Sequence, residues 1–252
     1  MANFNIKIVS DAICPWVSRA IPPPLVWLPT NPSVHPKCYV GKKRLERAIE
    51  TYKRDVPGGA SDSFTVTWHP FYLDPSLPKA GIDRDVHLTK KFGPERLAMA
   101  TAHLKALGAA EGINFSLKGK IGNTRDAHRL VQLAKTKSNE AENRVVSTLF
   151  KSHFEDDADI TSQDALVAIA EKAGLDKTEV TDWLSQGKGG QEVDREVEEA
   201  YSKGIHGVPN FTVNGRYQIE GAQDVQKFLE VFARAKKSSP DVSTGSSQGV
   251  SC

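Results

Sequence analysis

Cys14-Pro15-Trp16 and Cys38-Tyr39-Val40-Gly41 read as two halves of one Cys-Pro-Trp-Cys motif, separated by 21 residues. Before the first half, Asn5-Ile6-Lys7-Ile8-Val9-Ser10 alternates with the period of a strand. From about Cys38, Val40, Leu45, Ala48, Ile49 and Tyr52 fall on one face of a helix, which Pro57-Gly58-Gly59 stops. A Cys-x-x-Cys at such a strand-to-helix turn has a physical rationale. The first thiol sits where helix N–H groups and the macrodipole stabilise a thiolate. The second lies one turn on, within reach of a mixed disulfide. Proline between them fits the first helical position, whose N–H has no partner. The pattern points to thiol–disulfide exchange; the plain alternative is a buried, inert Cys14.

The separating segment, Val17 to Lys37, carries six prolines (Pro22, Pro23, Pro24, Pro29, Pro32, Pro36) and the apolar residues Ile21, Leu25, Val26, Trp27 and Leu28. It exceeds the roughly 12–15 residues beyond which unstructured loops inside compact domains are uncommon. Deleting it restores Cys-Pro-Trp-Cys-Tyr-Val-Gly. Val17-Ser18 can be encoded with an intron-donor string, Thr30-Asn31 as ACTAAC and Lys37 as AAG, so a short in-frame retained intron is one reading. A genuine lineage-specific loop is the other.

Ser63 to His69 alternates and is rich in β-formers, predicting a second strand. A loop follows from Pro70 to about Val86, and no strand is expected between Leu88 and Lys203. Helices are expected there from Pro94 (Leu97, Ala100, Leu104, Leu107), from Asn123-Thr124-Arg125-Asp126, over Val145 to Phe154, from the Thr161-Ser162 cap, around Trp183 and from Val193 to Tyr201. Asn210-Phe211-Thr212-Val213-Asn214-Gly215 and Tyr217-Gln218-Ile219 form a hairpin on an Asn-Gly turn. Val225, Phe228, Leu229 and Phe232 mark a last helix, and the Ser- and Gly-rich stretch beyond Lys237 is expected to be disordered. The expected fold is α/β: a four-stranded mixed sheet with helices on both faces, and an all-helical lobe inserted into it. The boundaries are 1–88, containing the anomalous 17–37, then 89–203 for the helical lobe, 204–237 for the return to the sheet, and 238–252 for the tail.

Composition narrows the function. The chain has 252 residues, 39% of them apolar, with 33 basic against 31 acidic side chains. No basic stripe suggests nucleic acid. No apolar run approaches the roughly 20 residues of a membrane span. The first ten residues alternate rather than follow a signal-peptide layout, so a cytoplasmic protein is expected. With three cysteines, Cys14, Cys38 and Cys252, and no supporting Cys/His cluster, no metal is expected. Cys252, at the end of the tail, is read as incidental. Gly-x-Ser-x-Gly, P-loop and His-Glu-x-x-His motifs are lacking. Oligomeric state is left open.

A second signature is Gly207-Val208-Pro209-Asn210-Phe211, where a proline directly precedes a strand. Such a residue is an edge or a cis turn. With Asp11-Ala12-Ile13-Cys14-Pro15-Trp16 joined to Cys38-Tyr39-Val40-Gly41, Pro70-Phe71-Tyr72-Leu73-Asp74-Pro75, Asn123-Thr124-Arg125-Asp126-Ala127-His128-Arg129-Leu130 and Glu220-Gly221-Ala222-Gln223, the chain resembles the DsbA-like thioredoxin superfamily. The likeness is to its FrnE-like branch, related to 2-hydroxychromene-2-carboxylate isomerases and kappa-class glutathione transferases. The resemblance implies a thioredoxin fold with a helical insertion and a protein disulfide oxidoreductase or isomerase. Cys14 would attack and Cys38 resolve. Pro209 would be the cis-proline beside them, with Val208 offering backbone hydrogen bonds to substrate. Pro15, Trp16, Asn123 and His128 would line the substrate cleft, although an Asn helix cap and a satisfied buried His explain the last two equally well. The partners implied are protein thiols and disulfides, with no bound cofactor and glutathione as an admissible co-substrate. The alternatives are a glutathione-dependent isomerase or transferase on the same fold, or an inactive binding protein.

Overall fold

A computed structural model describes residues 1–14 and 37–238. Pro15, Trp16, the insert up to residue 36, and the tail from residue 239 with Cys252 lie outside the described residues. Strand β1 (Asn3–Ser10) runs parallel to β2 (Ser63–Pro70) and antiparallel to β5 (Asn210–Val213), which pairs with β6 (Tyr217–Glu220). The sheet order is β2-β1-β5-β6. Register follows the buried alternation: Ile6 stands opposite Val66 and Val213, and Ile8 opposite Phe211. The β5–β6 turn takes positive φ at both Asn214 (51°) and Gly215 (68°), the geometry that an Asn-Gly hairpin turn requires.

Helices α1 (Lys37–Asp55) and α9 (Val225–Lys237) pack together over one face. There Phe4 stacks on Phe64 at 4.6 Å between centroids and meets Tyr52 of α1 and Phe232 of α9, each at 5.4 Å. Buried Asp62 ties the same elements together, accepting from the Ala2 amide (2.6 Å), Tyr52 Oη (2.9 Å) and Lys236 Nζ (2.8 Å).

The helical lobe comprises α2 (Arg84–Phe92), α3 (Pro94–Ala110), α4 (Arg125–Lys135), α5 (Asn139–Phe154), α6 (Gln163–Lys172), α7 (Lys177–Ser185) and α8 (Gly190–Ser202). β2 is an edge strand, and α5 closes its edge with side chains. Glu142 accepts the Trp68 amide at 2.7 Å, while Asn139 and Asn143 donate to the Val66 carbonyl at 2.6 and 3.0 Å. An open edge that would template another strand is thereby satisfied internally.

Two expectations are corrected. The region after Pro70 is not loop up to Val86: a short strand β3 (Ile82–Asp83) pairs with β4 (Lys120–Ile121), inside the stretch expected to lack strands. Two residues are too few to carry an alternating signature. The lobe also opens with a helix that was not expected, at Arg84 ahead of the one from Pro94, because the Asp83 side chain caps it by accepting the Val86 amide at 2.8 Å.

Candidate active site

β1 ends at Ser10, and a turn closed by the Cys14 amide on the Asp11 carbonyl (3.3 Å) carries the chain to Cys14. Cys38 enters from the other side, in the first turn of α1. Both cysteines are thiols, 3% and 1% exposed, and their side chains lie within hydrogen-bonding reach of each other. Cys14 Sγ also donates to the Val208 carbonyl at 3.7 Å, and the Val208–Pro209 peptide bond is cis. α1 rests directly on this loop. A Cβ at Gly41 would come within 3.0 Å of Phe211 Cζ and 3.1 Å of Pro209 Cγ, so glycine allows the close approach. Four of the expected site residues, Cys14, Cys38, Val208 and Pro209, thus converge from two strand ends and a helix start.

Burial pushes the Cys38 thiol well up from its ordinary value, and the hydrogen bond and negative charge of Cys14 push it further. The Ser10 hydroxyl and the Asp11 backbone amide favour the ionised form but do not prevail. Cys38 is thereby held toward its protonated form, despite a helix N-terminus that by itself would favour a thiolate.

Tyr39 fixes this first turn to the helical lobe. Its ring stacks on Phe150 (5.4 Å) and Phe154 (6.1 Å), meets Phe115 edge-on (6.2 Å), and its hydroxyl donates to Glu155 Oε1 at 2.7 Å.

Of the other expected site residues, Asn123 stands just before α4 and His128 lies within it. Asn123 Oδ1 accepts the Arg125 amide at 2.9 Å, an Asx turn that leads into the Thr124 N-cap of α4. His128 is buried, with Nε2 3.1 Å from the Phe71 carbonyl and 3.4 Å from Asp11 Oδ1. Asp11 is 1% exposed, and its Oδ2 accepts the Leu73 amide at 2.7 Å.

The sequence reading assigned no role to three buried polar residues around the pair: Asp11, Ser10 and Asn210. Ser10 Oγ, although near Cys38, makes no hydrogen bond of full geometry, and Asn210 Oδ1 after the cis-proline has none either. The available signal was position. A polar residue closing an apolar strand beside a cysteine or a proline is not needed for the core.

Among the described residues, no three or more His, Cys, Asp or Glu side chains are grouped as metal ligands, and no helix is long and apolar enough to cross a membrane.

Residues 34–233 match the model of the DSBA-like thioredoxin domain. The match includes Cys38 and starts after Cys14. Among curated proteins, none was found to match the chain. Of solved structures, a probable DsbA oxidoreductase, SCO1869 from Streptomyces coelicolor, is 28% identical with a TM-score of 0.76, covering 96% of this chain and 93% of that one. A 2-hydroxychromene-2-carboxylate isomerase superposes with a TM-score of 0.64 at 14% identity, covering 95% of this chain and 100% of that one. The cytosolic disulfide reductase DsbM from Pseudomonas aeruginosa, solved with GSH, gives 0.53 at 15% identity, covering 91% and 99%. The last two likenesses are of fold alone. The domain match takes in most of the chain and the fold agrees with it: this chain belongs to the DSBA-like thioredoxin family.

Proposed function

We propose that the chain is a thiol–disulfide oxidoreductase or isomerase in which Cys14 attacks a substrate disulfide and Cys38 resolves the mixed disulfide. One observation carries the reading. Two thiols 24 positions apart in sequence meet each other beside the cis Val208–Pro209 bond. The raised Cys38 thiol supports these roles, since a thiol that holds its proton is suited to wait. Val208 and Pro209 present backbone to an extended substrate, and Pro15 and Trp16 complete the motif. Asn123 and His128, at the start of α4 and within it, are the further candidate substrate contacts. Protein thiols and disulfides are the substrate class. Glutathione, present in the DsbM structure, is the candidate co-substrate, and the setting is the cytoplasm.

Insulin reduction with dithiothreitol tests this on four proteins: the full chain, the chain lacking Val17–Lys37, and Cys14→Ser in each. Activity that Cys14→Ser abolishes supports the proposal, and its presence only in the shortened form assigns the loss to the insert. Glutathione-dependent isomerisation or transfer without insulin reduction would replace it by the isomerase reading. Silence in all four would leave a binding protein.

A further inference from the structure

The two edges of the sheet are treated differently. At β2, the side chains of Glu142, Asn139 and Asn143 take up backbone groups that face outward. At the other end of the order β2-β1-β5-β6, β6 has β5 on one side and, among the described residues, no strand on the other. Proteins commonly blunt such an edge with lysine, proline or a charge turned inward. Arg216-Tyr217-Gln218-Ile219-Glu220 contains neither lysine nor proline, and the charged residues at its ends, Arg216 and Glu220, are exposed.

The hairpin determines which backbone groups the edge offers. The Gly221 amide donates to the Pro209 carbonyl at 2.8 Å, and Ile219 and Tyr217 stand opposite Phe211 and Val213. Hydrogen-bonded positions alternate along an antiparallel pair. Tyr217, Ile219 and Gly221 therefore turn their backbone toward β5, and Gln218 and Glu220 turn theirs away. Two groups near the ends are already engaged. The Arg216 amide donates back to the Val213 carbonyl at 3.1 Å, and the Glu220 carbonyl accepts from Gln223 Nε2 at 2.8 Å. The edge is left with the N–H and C=O of Gln218, the N–H of Glu220 and the C=O of Arg216.

We propose that β6 is a self-pairing edge, at which two copies of this chain join antiparallel about a two-fold axis through Gln218. That register uses the four remaining groups. Gln218 exchanges both bonds with Gln218 of the second copy, and each Glu220 N–H meets the other copy's Arg216 C=O. It also matches the side chains. Arg216 stands directly opposite Glu220 of the second copy, twice by symmetry, and Tyr217 opposite Ile219 on the other face. A parallel joint would set Arg216 against Arg216 and Glu220 against Glu220, and moving the axis to Tyr217 or Ile219 would leave both charges unmatched. A second copy is the partner this edge fits, because a foreign strand has no reason to carry the complementary order. Two four-stranded sheets become one continuous sheet. The axis reverses the strand direction, so the two Pro209 loops, each bonded to Gly221, lie at opposite ends of the joint. The joint is small beside the roughly 1,000 Å² expected of a stable interface, so the dimer is reversible and forms at micromolar or higher concentration.

Sedimentation velocity of the full chain, with its thiols kept reduced, tests this from about 1 to 300 µM. A monomer–dimer equilibrium is expected, and a monomer at every concentration overturns the proposal. Gln218→Pro deletes the central donor but none of the bonds to β5, since proline is tolerated where the N–H faces out of an edge. It should weaken the dimer by about 100-fold. Arg216→Glu and Glu220→Arg should each weaken it about tenfold, and the double variant should return to within about threefold of the parent. Far-UV circular dichroism checks that each variant folds. A dimer unchanged by all three substitutions, or a double variant no tighter than the single ones, overturns the joint. Hydrogen exchange supplies a reading without mutation: protection of the Gln218 and Glu220 amides should rise with protein concentration. Protection that is the same at both ends of the range would mean that the chain covers its own edge, or that nothing covers it, and either result overturns the proposal.

Discussion

If Tyr39 is what locks the first turn of α1 onto the helical lobe, its hydroxyl and its ring should contribute separately and measurably. The hydroxyl donates to Glu155 Oε1 at 2.7 Å in a site where Tyr39 is 4% exposed. Burial, then the Glu155 hydrogen bond and charge, hold the phenol well above its ordinary range, so it is a donor at every working pH. A hydrogen bond to a charged acceptor is worth about 1.5–3 kcal/mol. The low end applies, because Glu155 keeps the Asn114 amide at 3.0 Å after Tyr39→Phe. Tyr39→Phe should therefore cost about 1.5 kcal/mol. Tyr39→Ala also removes a ring packed against Phe115, Phe150 and Phe154, for which about 3–5 kcal/mol is expected, so the loss should reach about 5. Urea unfolding followed by tryptophan fluorescence, at constant m, measures both. A double-mutant cycle with Glu155→Gln should return a coupling of about 1 kcal/mol. A Tyr39→Phe loss below about 0.5 kcal/mol with no coupling to Glu155 would refute the anchor, since that is the range of ordinary surface changes. The rate at which Cys14 and Cys38 oxidise to a disulfide should fall in Tyr39→Ala, because the adjacent turn is no longer held.

Two further outcomes follow from buried charges remote from the cysteines. Burial alone would raise the Glu196 carboxyl, but the His69 hydrogen bond, the Lys135 charge and Gln132 outweigh it and hold it at about 2, against an ordinary 4.5. The unfolded chain takes up that proton first, so the contribution is complete above about 4.5 and lost as pH falls toward 2. Burial lowers His69 below 6.5, so protonation there destabilises in the same direction from about 6.5 downward. Roughly 1–3 kcal/mol of stability should disappear across the Glu196 window after allowing for screening, and Glu196→Gln should flatten that segment of a stability-against-pH curve. Arg129, 2% exposed, donates to the carbonyls of Trp183 (2.7 Å), Leu184 (3.0 Å) and Lys188 (2.7 Å) at the end of α7, and to Asp126 at 2.7 Å. Arg129→Lys keeps the charge but loses the fork that reaches several carbonyls at once, so thermal and urea unfolding should register a loss of about 3 kcal/mol.

What the sequence made legible were features written in neighbouring residues. The alternation of β1, the Asn-Gly turn, the periodicity of α1 and the helix caps all act within a few positions, and each element stands where its pattern placed it. The approach of Cys14 to Cys38 was legible for a different reason: each cysteine stands at a boundary that its neighbours mark, a strand end and a helix start. What stayed hidden depends on partners distant in sequence. Glu142, Asn139 and Asn143 look like polar residues on an amphipathic helix, and only the placing of α5 beside Trp68 and Val66 turns them into the closure of a sheet edge.

Asp11 shows the same limit at the site itself. Three residues before a cysteine, an aspartate reads as turn chemistry, and it does close that turn through its backbone carbonyl. Its side chain instead points inward, toward the Leu73 amide and toward His128, 117 positions away. A buried carboxylate is costly unless its oxygens are satisfied, so the fold must bring those donors to it. In doing so it fixes His128, whose sequence position alone allowed either a cleft ligand or an inert core residue. The burial of one strand-end carboxylate thus ties the β1 turn to Leu73 and to α4, a link that no single stretch of the sequence contains.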